Sequence, residues 1–171
     1  AGAGLQQDLK TATLLGVYGL TVITALTVQN SLGVQAVHPV APDLVAAQLA
    51  AVLADFPVDA IKIGMLASDD VLRSVVLGLE IVESRGGSLP PLVVDPVLTA
   101  SDGQPLLERR AWGSLQSLIS RAALVTPNLP EAEALTGQRP LARLHDLGLV
   151  SPALLAVHMT QLGSAEIAAF A

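Results

Sequence analysis

The sequence predicts an α/β fold built on a mostly parallel sheet. Short apolar runs, β-branched in places, alternate with longer segments whose apolar residues recur at helical spacing. The connections between them are short, and no internal repeat or low-complexity linker interrupts the alternation. Hydrophobic residues make up 51% of the 171 positions and charged residues 14%, enough apolar material for a buried sheet with helices on both faces.

The elements follow in order. Residues 8–15 read as a helix, which the Gly16-Val17-Tyr18-Gly19 break ends. Residues 20–28 are rich in Thr, Val and Ile and read as a strand. Pro42 stands ahead of a helical pattern over 43–56. Residues 60–65 read as a strand. Ser68 can cap a helix to about residue 84, closed by Arg85-Gly86-Gly87. A short strand over 91–94, a helical pattern over 106–120 and a strand over 122–126 complete the alternation. Beyond it, 141–147 read as a helix and 154–158 as a strand, and Ser164 can cap a last helix.

Composition excludes several functions. The net charge of −6, with Lys10 and Lys62 the only lysines, argues against a nucleic-acid surface. The absence of cysteine excludes disulfides and thiolate metal sites, and it fits a reducing cytoplasm. No basic-then-apolar leader opens the chain. Residues 11–42 carry no Asp, Glu, Lys or Arg, and their apolar part approaches membrane-spanning length. Five threonines and the glycine break within 11–28 favour a helix end, a turn and a buried strand instead.

Residues 126–137 read Thr-Pro-Asn-Leu-Pro-Glu-Ala-Glu-Ala-Leu-Thr-Gly and follow a short apolar run. Asn128 and Glu131 thus fall at a strand-to-helix turn, where ligands of open α/β sheets bind. An amide and a carboxylate at this spacing can hold a hydrated magnesium ion near a phosphate. They can equally be a capping box at an ordinary helix start. Asp95 follows a strand and can serve a cation or simply make an Asp-Pro turn. His38, His145 and His158 are too widely spaced to assemble a zinc site.

The segment resembles the Asn-x-x-Glu motif of ribokinase-like kinases, and the full string resembles the hydroxymethylpyrimidine and phosphomethylpyrimidine kinases of thiamine biosynthesis. Four further blocks agree in the same order: Ala3-Gly4-Leu5-Gln6-Gln7-Asp8-Leu9-Lys10, residues 19–30, Lys62-Ile63-Gly64-Met65-Leu66 and Val94-Asp95-Pro96-Val97. The resemblance implies a ribokinase-like three-layer αβα fold, truncated at both ends, over residues 1–138. It implies an ATP- and Mg2+-dependent kinase of a small pyrimidine, a cytoplasmic homodimer bound to neither nucleic acid nor membrane. It places the acceptor against Ala3, Gly4, Asp8, Gln29, Met65 and Val97. On the bare sequence, Gln29 would be a loop residue and Met65 plain core. The phosphates and cation go to Asp95, Asn128 and Glu131. Pyridoxal kinases are the near alternative.

The Gly-Thr-Gly-Cys-like anion hole of that family has no counterpart here. The expectation is therefore weak pyrimidine binding with phosphoryl transfer near background, since oxyanion donors typically contribute about a hundredfold or more in rate. Residues 139–171 resemble a fragment of the amidohydrolase superfamily through Ser151-Pro152-Ala153-Leu154-Leu155-Ala156-Val157-His158-Met159-Thr160-Gln161-Leu162. That likeness implies a tail of different origin, with a zinc aminohydrolase fragment or an inactive chimeric product as alternatives.

Overall fold

The computed structural model describes residues 4–84, 87–100 and 103–139. The chain divides into two units, Ala1–Thr126 and Pro127–Ala171.

The first unit begins with helix α1, Leu5–Leu14, which Gly16 stops by taking a φ of 72°. A left-handed residue just past a helix is most easily a glycine, which has no Cβ to clash. Strand β1, Ala25–Asn30, and strand β2, Gly33–Pro39, then form an antiparallel hairpin. Asn30 shapes its turn, with Oδ1 accepting the Leu32 amide at 2.8 Å.

This hairpin corrects the expected strand over 20–28. Residues 20–24 lie outside any strand, and the second strand of the hairpin was not anticipated. The reason is a side chain. Gln48 Oε1 accepts the Ile23 amide at 3.1 Å, and Gln48 Nε2 donates to the Ile23 carbonyl at 3.2 Å. A glutamine thereby takes the place of a neighbouring strand for this β-branched run.

Helix α2, Pro42–Asp55, starts on Pro42 as its proline predicts. Strand β3, Ile61–Ile63, leads to helix α3, Asp69–Ser84. Ser68 caps α3 as expected, its Oγ accepting the Val71 amide at 3.3 Å. Strand β4, Leu92–Val94, is followed by a 3-10 turn, Arg109–Ala111, and helix α4, Trp112–Ile119, a shorter α-helix than the expected 106–120. Strand β5, Leu124–Val125, closes the unit.

Strands β3, β4 and β5 form a parallel sheet in that order. Each parallel step needs a crossover, which α3 and α4 supply. The predicted parallel sheet is thus present, but the hairpin forms a separate sheet instead of joining it. Helix α3 packs between α2 and α4. The core is aliphatic: Val45, Val71, Leu72, Leu79, Val94 and Leu118 are its most deeply buried side chains. At Gly78 a Cβ would come within 2.7 Å of Leu49 Cδ2, so the missing side chain sets how closely α2 and α3 approach.

In the second unit, helix α5, Leu129–Thr136, ends on Gly137 at a φ of 70°. Among the described residues, no helix is long and apolar enough to cross a membrane. The elements expected over 141–147, 154–158 and from Ser164 lie outside the described residues.

Candidate active site at the carboxyl edge of the sheet

A parallel sheet brings the C-terminal ends of its strands to one edge. In register, Ile63 pairs with Val94 and Val94 with Val125. The ladder runs one step further, with the Asp95 amide donating to the Ile63 carbonyl at 2.8 Å and the Thr126 amide to the Val94 carbonyl at 3.0 Å. Gly64 and Met65, then Asp95 to Val97, therefore leave the sheet side by side. This is the edge at which open α/β sheets bind ligands.

Asp95 is half-buried there, and its carboxylate makes no hydrogen bond or ion pair among the described residues. Its backbone also shapes the turn, the Val97 amide donating to the Asp95 carbonyl at 2.9 Å. Met65 and Val97 are partly exposed. Thr24 Oγ1 donates to the Met65 carbonyl at 2.7 Å and ties the chain just before β1 to this edge.

Gly4 precedes α1 at a φ of 77°, a conformation that suits glycine. Asp8, one turn into α1, accepts a hydrogen bond from Lys62 Nζ on Oδ1 at 2.7 Å. Gln29 differs from expectation. It lies within β1, opposite Val34 and beside an irregularity in the hairpin register, and does not follow a strand. It is exposed. Ala3 lies outside the described residues. After β4 the Ala100 amide donates to the Gln104 carbonyl at 2.8 Å, and Gly103, between the two, takes a φ of 88°.

In the second unit, Asn128 and Glu131 form a full capping box. Asn128 Oδ1 accepts the Glu131 amide at 2.9 Å, and Glu131 Oε2 accepts the Asn128 amide at 2.9 Å. Glu131 is 5% exposed. The helix-start reading of this motif is therefore realised. A carboxylate has two oxygens and about four lone-pair sites, so capping is compatible with a further role.

Among the described residues no three His, Cys, Asp or Glu side chains cluster as a metal cage would. Magnesium seldom uses such a cage; it takes one or two carboxylates, waters and substrate phosphates. Asp95 in the first unit, and Asn128 and Glu131 in the second, are each oxygen donors of the kind that habit uses.

Two residues tied to this edge had no assigned role in the sequence. Lys62 stood inside a matching block but only as part of a string. Thr24 carried no signal, because its bond to Met65 joins residues 41 positions apart.

Comparison with known proteins shows the family. Residues 1–161 match the phosphomethylpyrimidine kinase family. The hydroxymethylpyrimidine/phosphomethylpyrimidine kinase of Escherichia coli K12 is 47% identical over 78% of this chain and 49% of its own length. The thiamine biosynthesis bifunctional protein ThiED of Geobacter sulfurreducens is 44% identical over 97% of this chain and 35% of its own. The crystal structure of phosphomethylpyrimidine kinase from Clostridium difficile 630 superposes with a TM-score of 0.70 at 41% identity, over 81% of this chain and 58% of that one. A Bacillus subtilis pyridoxal kinase, solved as an ADP complex, reaches a TM-score of 0.63 at 32% identity, over 80% and 48%. The chain thus spans about a third to a half of these two curated relatives.

These matches overturn one expectation. The family likeness continues past residue 138 to residue 161, across the string that resembled an amidohydrolase. The aminohydrolase likeness of the tail is not supported, and His158 lies outside the described residues. The fold is the ribokinase-like one of the superposed kinases, and the chain belongs to the phosphomethylpyrimidine kinase family.

Proposed function

We propose that the protein carrying these 171 residues is an ATP-dependent kinase of 4-amino-5-hydroxymethyl-2-methylpyrimidine, of its monophosphate, or of both, acting in thiamine biosynthesis. The observation that carries this is the carboxyl edge, where Met65, Asp95 and Val97 converge in a chain 47% identical to the Escherichia coli kinase.

Each residue has a task suited to its chemistry. Asp8 accepts a hydrogen bond from the acceptor hydroxyl. The Gln29 amide, both donor and acceptor, pairs with a ring nitrogen and the exocyclic amine. Met65 and Val97 flank the flat ring, a soft thioether adapting to it. Asp95 in the first unit, and Asn128 and Glu131 in the second, each carry oxygens suited to a hydrated cation or its phosphates. When bound, magnesium ATP supplies the transferable phosphoryl group and the neutralisation of its charge. Such catalysis is mostly positioning, which suits side chains mounted at the ends of strands and the start of a helix.

A pyridoxal kinase is the second reading, favoured by the shared fold of the Bacillus subtilis enzyme. The higher identity to the pyrimidine kinases favours the first. The reading includes a cytoplasmic homodimer, which sedimentation of the purified protein and fractionation of cells would check. The deciding experiment is calorimetry with hydroxymethylpyrimidine and pyridoxal, alongside ADP release in the protein that carries this chain. Pyrimidine-stimulated ADP release is expected. Tighter pyridoxal binding moves the assignment to the second reading, and ADP release that ignores both acceptors overturns the first.

A further inference from the structure

Helix α1 carries Asp8, yet none of its residues is buried. Two contacts bear on how it is held. Leu9 lies over Gly19, where a Cβ would come within 2.7 Å of Leu9 Cδ2. The other is the bond from Lys62 Nζ to Asp8 Oδ1 at 2.7 Å. Among the described residues, no other side-chain hydrogen bond or ion pair joins α1 to another element.

The two ends of that bond differ in rigidity. Lys62 is the middle residue of β3, which is locked into the parallel sheet on β4. Side chains alternate across a strand, so Lys62 points to the face opposite Ile61 and the buried Ile63. It reaches α1 from there. Met65 lies three residues further along, about 10 Å at the rise of an extended chain. One lysine therefore connects the helix bearing Asp8 to the strand that delivers Met65.

We infer that Lys62 is a positioning residue, whose ammonium fixes the Asp8 carboxylate and the exposed helix beneath it against the carboxyl edge of the sheet. The inference rests on the proposed acceptor role of Asp8. Both partners are about half exposed, with side-chain exposures of 46% and 48%. The pair therefore adds little to global stability. Its effect falls on where Asp8 stands, because α1 is only partly covered and none of its residues is buried.

The test uses the protein that carries this chain, with hydrogen exchange at the α1 amides and calorimetric binding of hydroxymethylpyrimidine. Lys62→Met should speed exchange in α1 about two- to fivefold, the range of a lost exposed ion pair. Exchange in β4 should not change. The same variant should weaken pyrimidine binding about three- to tenfold, and Lys62→Arg should recover most of both. The exchanged pair, Asp8→Lys with Lys62→Asp, should restore protection of α1 without restoring affinity. A merely structural ion pair would leave the affinity of Lys62→Met intact, and that result overturns the inference. Unchanged exchange in α1 overturns it too. If Asp8→Asn binds pyrimidine as tightly as the parent, the acceptor role of Asp8 fails and the positioning role falls with it. The exchange measurement then still reports separately whether Lys62 anchors α1.

Discussion

Asn128 and Glu131 bond each other twice, side chain to backbone in both directions at 2.9 Å. The residues proposed to face a cation are thus also the residues that start α5. Their geometry is held before any ligand arrives, which lowers the ordering cost of binding.

Replacing Asn128 with Ala removes the cap. The α5 helix, eight residues long, should lose about 1 kcal/mol. Asn128→Asp keeps a capping oxygen and should retain most of that stability, as amide exchange at Glu131 would report. If the motif also serves the phosphates, Asn128→Asp separates the two roles: capping survives while turnover changes.

Helix α3 should show a strong contrast between its faces. Leu72 is fully buried, whereas Leu77 is 57% exposed. Leu72→Ala should cost about 2–5 kcal/mol through lost transfer energy and the cavity left behind. Leu77→Ala should stay within about 0.5 kcal/mol. Urea denaturation of the two variants measures the difference.

Gly78 should resist enlargement. It lies on α3 against Leu49, which is itself 7% exposed. Gly78→Leu should destabilise by about 1–3 kcal/mol, the usual cost of overpacking, despite the better helix propensity of leucine. Denaturant midpoints would show it, and combining Gly78→Leu with Leu49→Ala should recover part of the loss.

Glu108 should titrate below the ordinary glutamate range. Arg110 Nε donates to its Oε2 at 2.7 Å, and this hydrogen bond is the main reason the carboxyl is held low. A carboxylate with a lowered folded value stabilises the fold above its unfolded value of about 4.3, and that contribution disappears as pH falls through the folded value. Following the Glu108 side chain by NMR in the parent and in Arg110→Met should show the midpoint rise in the variant.

Gln29 offers the most direct check on the acceptor. Gln29→Ala should weaken hydroxymethylpyrimidine binding about tenfold, because an unpaired polar edge of a bound ligand costs on the order of 1–3 kcal/mol. Because Gln29 is exposed in β1, thermal stability should hold. An unchanged affinity in calorimetry would remove Gln29 from the pocket.

Local chemistry was legible in the sequence. Pro42 starts α2, Ser68 caps α3, and the Asn-x-x-Glu spacing makes its capping box, since each depends on neighbours within a turn. The strands β3, β4 and β5 were legible as short apolar runs, and their parallel pairing followed from the helices between them. The candidate site residues were nameable only through five ordered blocks, because no single one has a spacing that demands catalysis.

What tertiary structure alone decided lies in contacts between residues far apart in the chain. A β-branched run over 20–24 has strand propensity, but the Gln48 side chain satisfies the Ile23 backbone from 25 residues away, and the strand begins at Ala25 instead. Likewise Lys62 meets Asp8 across 54 residues, and Thr24 meets Met65 across 41. The sequence by itself determined the α/β class, the starts of α2, α3 and α5, and the family to which the chain belongs. Backbone propensity and capping act within a few residues and are written locally. Which polar group answers which, and so which side chain stands at the carboxyl edge, depends on how the sheet and helices close in space.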